Sequence, residues 1–236
     1  MAFYDDIDGE EEVLRNPIWS SFTLAKNNIE VLIAINLVWA ITLLPVLVAL
    51  GFGTWPLWLR LPLLGIGVVA LAASSGVVFG LVAKICGGEP LTMGLLQETI
   101  RGCALDSIRR LAPLYGIFGA GFLVIGLTAL THISIVEILV QFVLLWLLFC
   151  SLYWGPLFAD LPAATSWTLL STSLRLILRS PAQSLRTAFI VLALVILGVV
   201  SLAGILLIVP VLVALIQTYQ YRQLVAHHRN HFVIAG

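Results

Sequence analysis

The residues best suited to chemistry in this chain cluster in one stretch. Glu137 and Gln141 are one helical turn apart on one face, and His132 shortly precedes them. A carboxylate is stable in a hydrocarbon layer only when protonated or paired, and an imidazole titrates near neutral pH. Such a trio could hold a polar solute or pass a proton. Asn36, Ser74 and Ser75 are further polar groups within hydrophobic runs, as are Thr42, Thr128 and Gln217. We take His132, Glu137, Gln141, Asn36, Ser74 and Ser75 as the candidate polar cluster of the membrane region. A plainer reading competes with it and is the one we favour. In that reading Glu137 reaches water from a shallow position, His132 sits in a loop, and the hydroxyls and amides tie helices together. Such interhelical bonds contribute only about 0.6 kcal/mol each on average.

Other chemistries lack their residues. No Walker A loop, GxSxG elbow, HExxH helix or GxGxxG turn occurs, and no polar stretch is long enough for an ATPase or a dinucleotide-binding domain. Cys86, Cys103 and Cys150 are far apart, form no CxxC pair and have no His at ligand spacing, so they read as free thiols. His132, His227, His228 and His231 all lie away from mid-membrane, where axial haem ligands would be needed. Formal net charge is zero, which gives no field to attract nucleic acid. We therefore expect no catalytic, cofactor-binding or metal-ligating residues and a non-enzymatic protein.

Composition explains this poverty. Hydrophobic residues make up 61% of the chain and charged residues only 10%, and the mean hydropathy is +1.09. A water-soluble fold could not hide so much apolar surface. A crossing helix needs about 20 apolar residues for a core roughly 30 Å thick. Val31–Leu50, Leu61–Ala83, Ala112–Leu130 and Ile133–Tyr153 each qualify. The run Thr187–Tyr221 would be about 52 Å long as one helix at about 1.5 Å per residue, too long for a single crossing. It is expected to break near Ser201-Leu202-Ala203-Gly204, with Pro210 bending the second piece. Six crossings keep every Lys and Arg except Arg60 on one side, and five would put Arg222 and Arg229 with Arg60. The positive-inside rule therefore predicts six spans, both termini cytoplasmic, in the cell inner (plasma) membrane. The first residues carry Asp5, Asp6, Asp8 and Glu10 to Glu12, the reverse of a signal peptide's basic start, so insertion is expected through the first span.

A threefold repeat organises the spans. Pro17, Pro90 and Pro162 recur at nearly equal intervals, each opening a moderately polar stretch that leads into a hydrophobic hairpin. The first stretch places Ile18, Phe22, Ala25 and Ile29 on one helical face. The second places Leu96, Ile100, Ala104, Ile108 and Leu111, and the third Trp167, Leu170, Leu174 and Leu178. The expected architecture is one all-α polytopic membrane domain over 1–236, with an acidic extension at 1–16. Its pseudo-repeats, 17–86, 90–155 and 162–222, are each an amphipathic interfacial helix followed by a two-helix hairpin. Gly76 and Gly80 form a GxxxG, and Gly116, Gly119 and Ala120 a second small-residue surface, both suited to close helix contact. Trp55 and Trp58 on one side, and Trp19, Tyr153, Trp154, Trp167, Tyr219 and Tyr221 on the other, read as interface anchors.

Asn36-Leu37-Val38-Trp39 in the first span, the Gly87-Gly88-Glu89-Pro90 turn, and Leu157 to Arg222 with its Arg179-Ser180-Pro181 step carry a resemblance. With these features the chain resembles the YesL-like family of bacterial integral membrane proteins over nearly its whole length. It departs from that family in its acidic N-terminal extension and charge-poor outer loops. The resemblance implies an accessory role in carbohydrate uptake beside ABC transporters, and brings no catalytic residues with it. From the residues themselves we expect a structural or accessory subunit, in contact with the lipid bilayer and other membrane proteins. A small transporter would instead need a water-reachable cavity lined by Asn36, Ser74, Ser75, Glu137 and Gln141. A lipid sensor would read anionic lipid through the Arg-bearing inner helices.

Overall fold

In a computed structural model the chain is described over residues 29–51, 55–90, 92–131, 134–201 and 208–234. These residues form seven helices and no strand: α1 (Ile29–Gly51), α2 (Leu57–Ile85), α3 (Met93–Thr131), α4 (Ser134–Asp160), α5 (Ser166–Arg179), α6 (Pro181–Val200) and α7 (Val209–Ile234). Five of them, α1, α2, α3, α4 and α6, are long and apolar enough to cross a membrane. Pro45, Pro62, Pro113 and Pro156 lie inside α1 to α4 without ending them, as membrane helices tolerate. The first interfacial stretch and Trp19 lie outside the described residues, as does His132.

Small residues set the closest packing. α2 runs antiparallel to α3, with Gly76 against Ser107 and Gly80 against Cys103 and Thr99. A Cβ on Gly80 would lie 2.9 Å from the Cys103 sulfur. The GxxxG face is thus occupied within the chain. On the second small-residue surface Gly119 makes only ordinary contact with Val68, and Gly116 faces open space.

The turn between α2 and α3 is fixed by its glycines. The Glu89 N–H reaches back to the Lys84 carbonyl at 3.2 Å and the Gly88 N–H to that of Ile85 at 3.0 Å. This doubly bonded helix end requires a left-handed residue, and Gly88 supplies it with φ +86°.

Sequence expectations for α3 and α7 need correction. The interfacial helix expected over Leu96–Leu111 is not a separate element, because α3 continues through it into the span. In α3 the buried positions include Thr99, Ser107, Leu111 and Leu114, while Ile100 is exposed. The packed face therefore overlaps the expected stripe at Leu111 and Leu96 and extends to Thr99 and Ser107, which meet the α2 glycines. Pro210 does not bend its helix either: it is the second residue of α7, in the first turn, where proline is accommodated. The break itself falls as expected, since α6 ends at Val200 and α7 begins at Val209.

In the third unit α5 is a separate amphipathic helix. Thr165 caps it by accepting the Thr168 N–H at 3.2 Å, and Pro181 ends its run and opens α6. Its buried residues are Leu169, Ser173 and Ile177, whereas Trp167 of the expected stripe is 73% exposed. One side of α5 packs on the bundle and the expected apolar stripe looks outward.

The core sits at the end of the bundle where α2 and α4 finish. Tyr153, Trp154, Leu157 and Phe158 of α4 pack there with Leu111, Leu169, Tyr221 and Leu224. Tyr153, Trp154, Tyr219 and Tyr221 are consequently buried core residues and not interface anchors. Trp154 is 1% exposed and meets Tyr115 and Phe118 edge-on, with ring centroids 6.1 and 5.8 Å away. Towards its other end α4 is exposed on most sides, as at Ile135, Ile138, Leu139, Phe142 and Leu145.

Candidate functional site: polar groups inside the bundle and at its charged end

The expected polar cluster is dispersed. Asn36 is fully buried, and its Oδ1 accepts the N–H of Val211 at 3.0 Å. The first four N–H groups of a helix have no partner within it, so Asn36 of α1 caps α7 from across the bundle. Asn36→Ala is expected to destabilise the protein by about 1–2 kcal/mol, the range for a lost cap at a buried donor. Thermal unfolding of the purified chain in detergent checks this, and an unchanged midpoint would count against a capping role.

Ser74 Oγ and Thr42 Oγ1 lie 3.0 Å apart, linking α2 to α1. One hydroxyl donates across this contact, which leaves only the other to donate to a carbonyl of its own helix, Leu71 at 3.2 Å from Ser74 or Trp39 at 2.6 Å from Thr42. The pair borders a groove of about 450 Å3 among α1, α2 and α3, whose other walls are apolar and include Ala34, Ala70, Ala73 and Ala104. Ser75 is buried and faces the hydroxyl of Tyr115.

Gln141 Nε2 donates to Glu137 Oε1 at 3.1 Å along α4, with Ile138, Leu139 and Phe142 exposed around them. Among the described residues α1 and α4 do not pack against each other. Asn36 therefore does not meet Glu137 and Gln141, and Ser74 turns to Thr42 of α1.

The charged end holds contacts that the sequence did not announce. Arg222 of α7 donates from its two terminal nitrogens to the carbonyls of Cys86 at 2.7 Å and Ala83 at 3.0 Å. It thereby satisfies the open end of α2 and places a cation where the helix dipole favours one. Arg110 donates to the Leu161 carbonyl at 2.9 Å, lies 3.8 Å from the Asp106 carboxylate and stacks 4.1 Å above the Phe158 ring. Tyr221 donates to Asp160 Oδ2 at 2.7 Å, and the Tyr153 and Ser184 hydroxyls meet at 2.9 Å. Lys84 pairs with Glu98 at 3.0 Å. These bonds join α2, α3, α4, α6 and α7 at one level. At the opposite end Arg60 Nε donates to the Ala49 carbonyl at 2.8 Å and closes the end of α1. The one sequence signal was the Gly87-Gly88 turn, which leaves helix-end carbonyls open for a cation.

Among the described residues no group of His, Cys, Asp and Glu is arranged to hold a metal. Cys86, Cys103 and Cys150 are free thiols, and burial pushes the Cys86 thiol up despite the nearby Arg222 charge and a hydrogen bond to Tyr219. The chain matches no family model, no curated protein and no solved structure.

Proposed function

We propose that this protein is a non-enzymatic integral membrane subunit that works by packing against other membrane proteins. One observation carries the reading. The polar groups that the helices bring together across the bundle are committed to the fold: Asn36 to a helix end, Thr42 to Ser74, and Tyr153 to Ser184. Hydrolysis or solute transfer inside a membrane requires polar groups that face a substrate.

The chain crosses the plasma membrane six times, with α7 completing the last crossing and both termini in the cytoplasm. Support comes from the grouping of Lys84, Arg110 and Arg222 at one end of the bundle, with Arg60 at the other, which fits the positive-inside pattern. The surfaces offered to partners are aliphatic: the sparsely packed part of α4, the outer face of α6, and the groove beside Thr42 and Ser74.

The YesL resemblance makes an ABC-type carbohydrate transporter the first partner to seek. Crosslinking and affinity isolation from native membranes, read by mass spectrometry, is expected to return a stoichiometric membrane partner. A solitary monodisperse monomer in gentle detergent would sink the reading.

A further inference from the structure

At the charged end α6 and α7 border an open pocket of about 420 Å3, lined by Ala182, Gln183 and Arg186 of α6 and by Gln220 and Gln223 of α7. Every polar side chain in its wall can donate a hydrogen bond, and none is acidic. Gln220 is only 3% exposed, and its amide, which makes no hydrogen bond among the described residues, is not sealed off but keeps access to the pocket it lines. An amide held at the pocket wall with no protein partner is open to bond whatever enters. Gln217, Gln220 and Gln223 recur at three-residue spacing, so the amides run in a line along one side of α7.

The same pocket meets an open helix start. Ser180 gives α6 no side-chain cap, and Pro181 has no N–H. The Ser184 N–H is taken by the Ser180 carbonyl at 3.0 Å. This leaves the N–H groups of Ala182 and Gln183 as the free donors of the first turn, at the positive end of the helix dipole. Arg186, one turn further along, is exposed and pairs with no carboxylate among the described residues.

We propose that this pocket binds a phosphate group, supplied by the headgroup of an anionic lipid. A phosphate offers several acceptor oxygens to a set of converging donors, and helix starts flanked by arginine favour it. The depth fits a lipid. The candidate span of α6 begins at Pro181, so the pocket lies where the chain enters the membrane. Directly beyond it Leu185, Phe189 and Leu192 are exposed along α6, a surface for acyl chains. The inference is independent of the subunit reading, since it concerns a bound lipid and not a protein partner.

The test uses the full chain in neutral detergent, titrated separately with dioctanoyl phosphatidic acid, dioctanoylglycerol and inorganic phosphate, with the unfolding midpoint as the readout. Phosphatidic acid is expected to raise the midpoint saturably, and dioctanoylglycerol to leave it unchanged. Arg186→Gln is expected to weaken the effect about ten-fold, a loss on the scale of one charge-assisted bond. Arg186→Lys should retain part of it, and Arg175→Gln, on the exposed side of α5, all of it. Gln220→Leu provides a second variant within the pocket. A response to inorganic phosphate equal to that of phosphatidic acid supports phosphate recognition with a free source. A response to dioctanoylglycerol equal to phosphatidic acid, or full binding by a folded Arg186→Gln protein, overturns the proposal.

Discussion

Gly76→Val is expected to destabilise the protein by about 3 kcal/mol or more, at the upper end of overpacking penalties. A Cβ at Gly76 collides with the Cβ of Ser107, an atom fixed to the α3 backbone that no rotamer change can move. The two helices must therefore separate. Separation by even about 1 Å forfeits a quarter to a half of the dispersion energy at every facing pair of atoms. Gly65→Ala and Gly116→Ala are the controls, since nothing lies within 4 Å of a Cβ at either position. Unfolding midpoints in one detergent should fall for the first variant and stay level for the other two. A level midpoint for Gly76→Val would show that α2 and α3 do not approach so closely.

Arg222→Ala should be comparably damaging. The guanidinium makes two charge-assisted bonds to the Ala83 and Cys86 carbonyls, each worth about 1.5–3 kcal/mol. Removing it leaves the Cys86 carbonyl without a partner among the described residues, whereas the Ala83 carbonyl keeps the Gly87 N–H at 3.1 Å. The expected loss is about 3 kcal/mol, with Arg222→Lys recovering roughly half because an ammonium cannot reproduce the two-pronged geometry. The acceptors are carbonyls and not carboxylates, so raising salt should change the loss little. A loss that vanished in high salt would point to a long-range charge effect in place of these bonds.

The helical, multi-pass character was legible because it depends on length and hydropathy alone. So was the break after Val200, where the apolar run was too long for one crossing. Helix faces were legible only in part, for a physical reason. In water an apolar stripe points to the core, but in lipid the apolar side chains are at home outside and small ones mediate contact. Thr99, Ser107 and Ser173 are buried accordingly, while Ile100 and Trp167 face outward. Among the site residues, Glu137 and Gln141 do meet, as their helical spacing implied. The partners of Asn36 and Arg222 are Val211 and the end of α2, far away in sequence, and no local pattern encodes such pairings.

Pro113 lies inside α3, at the junction where sequence alone placed two separate helices. Lacking an N–H, it cannot bond the Arg109 carbonyl, so the rod has a joint with one strut missing. The limb from Met93 to that joint is about 30 Å long at about 1.5 Å per residue, and a bend of about 10° there would displace its tip by roughly 5 Å. Arg110, clasping the Leu161 carbonyl and resting on Phe158, is the latch beside the joint. Any motion of this limb would be coupled to the end of α4 and, through Ser107 and Cys103, to α2.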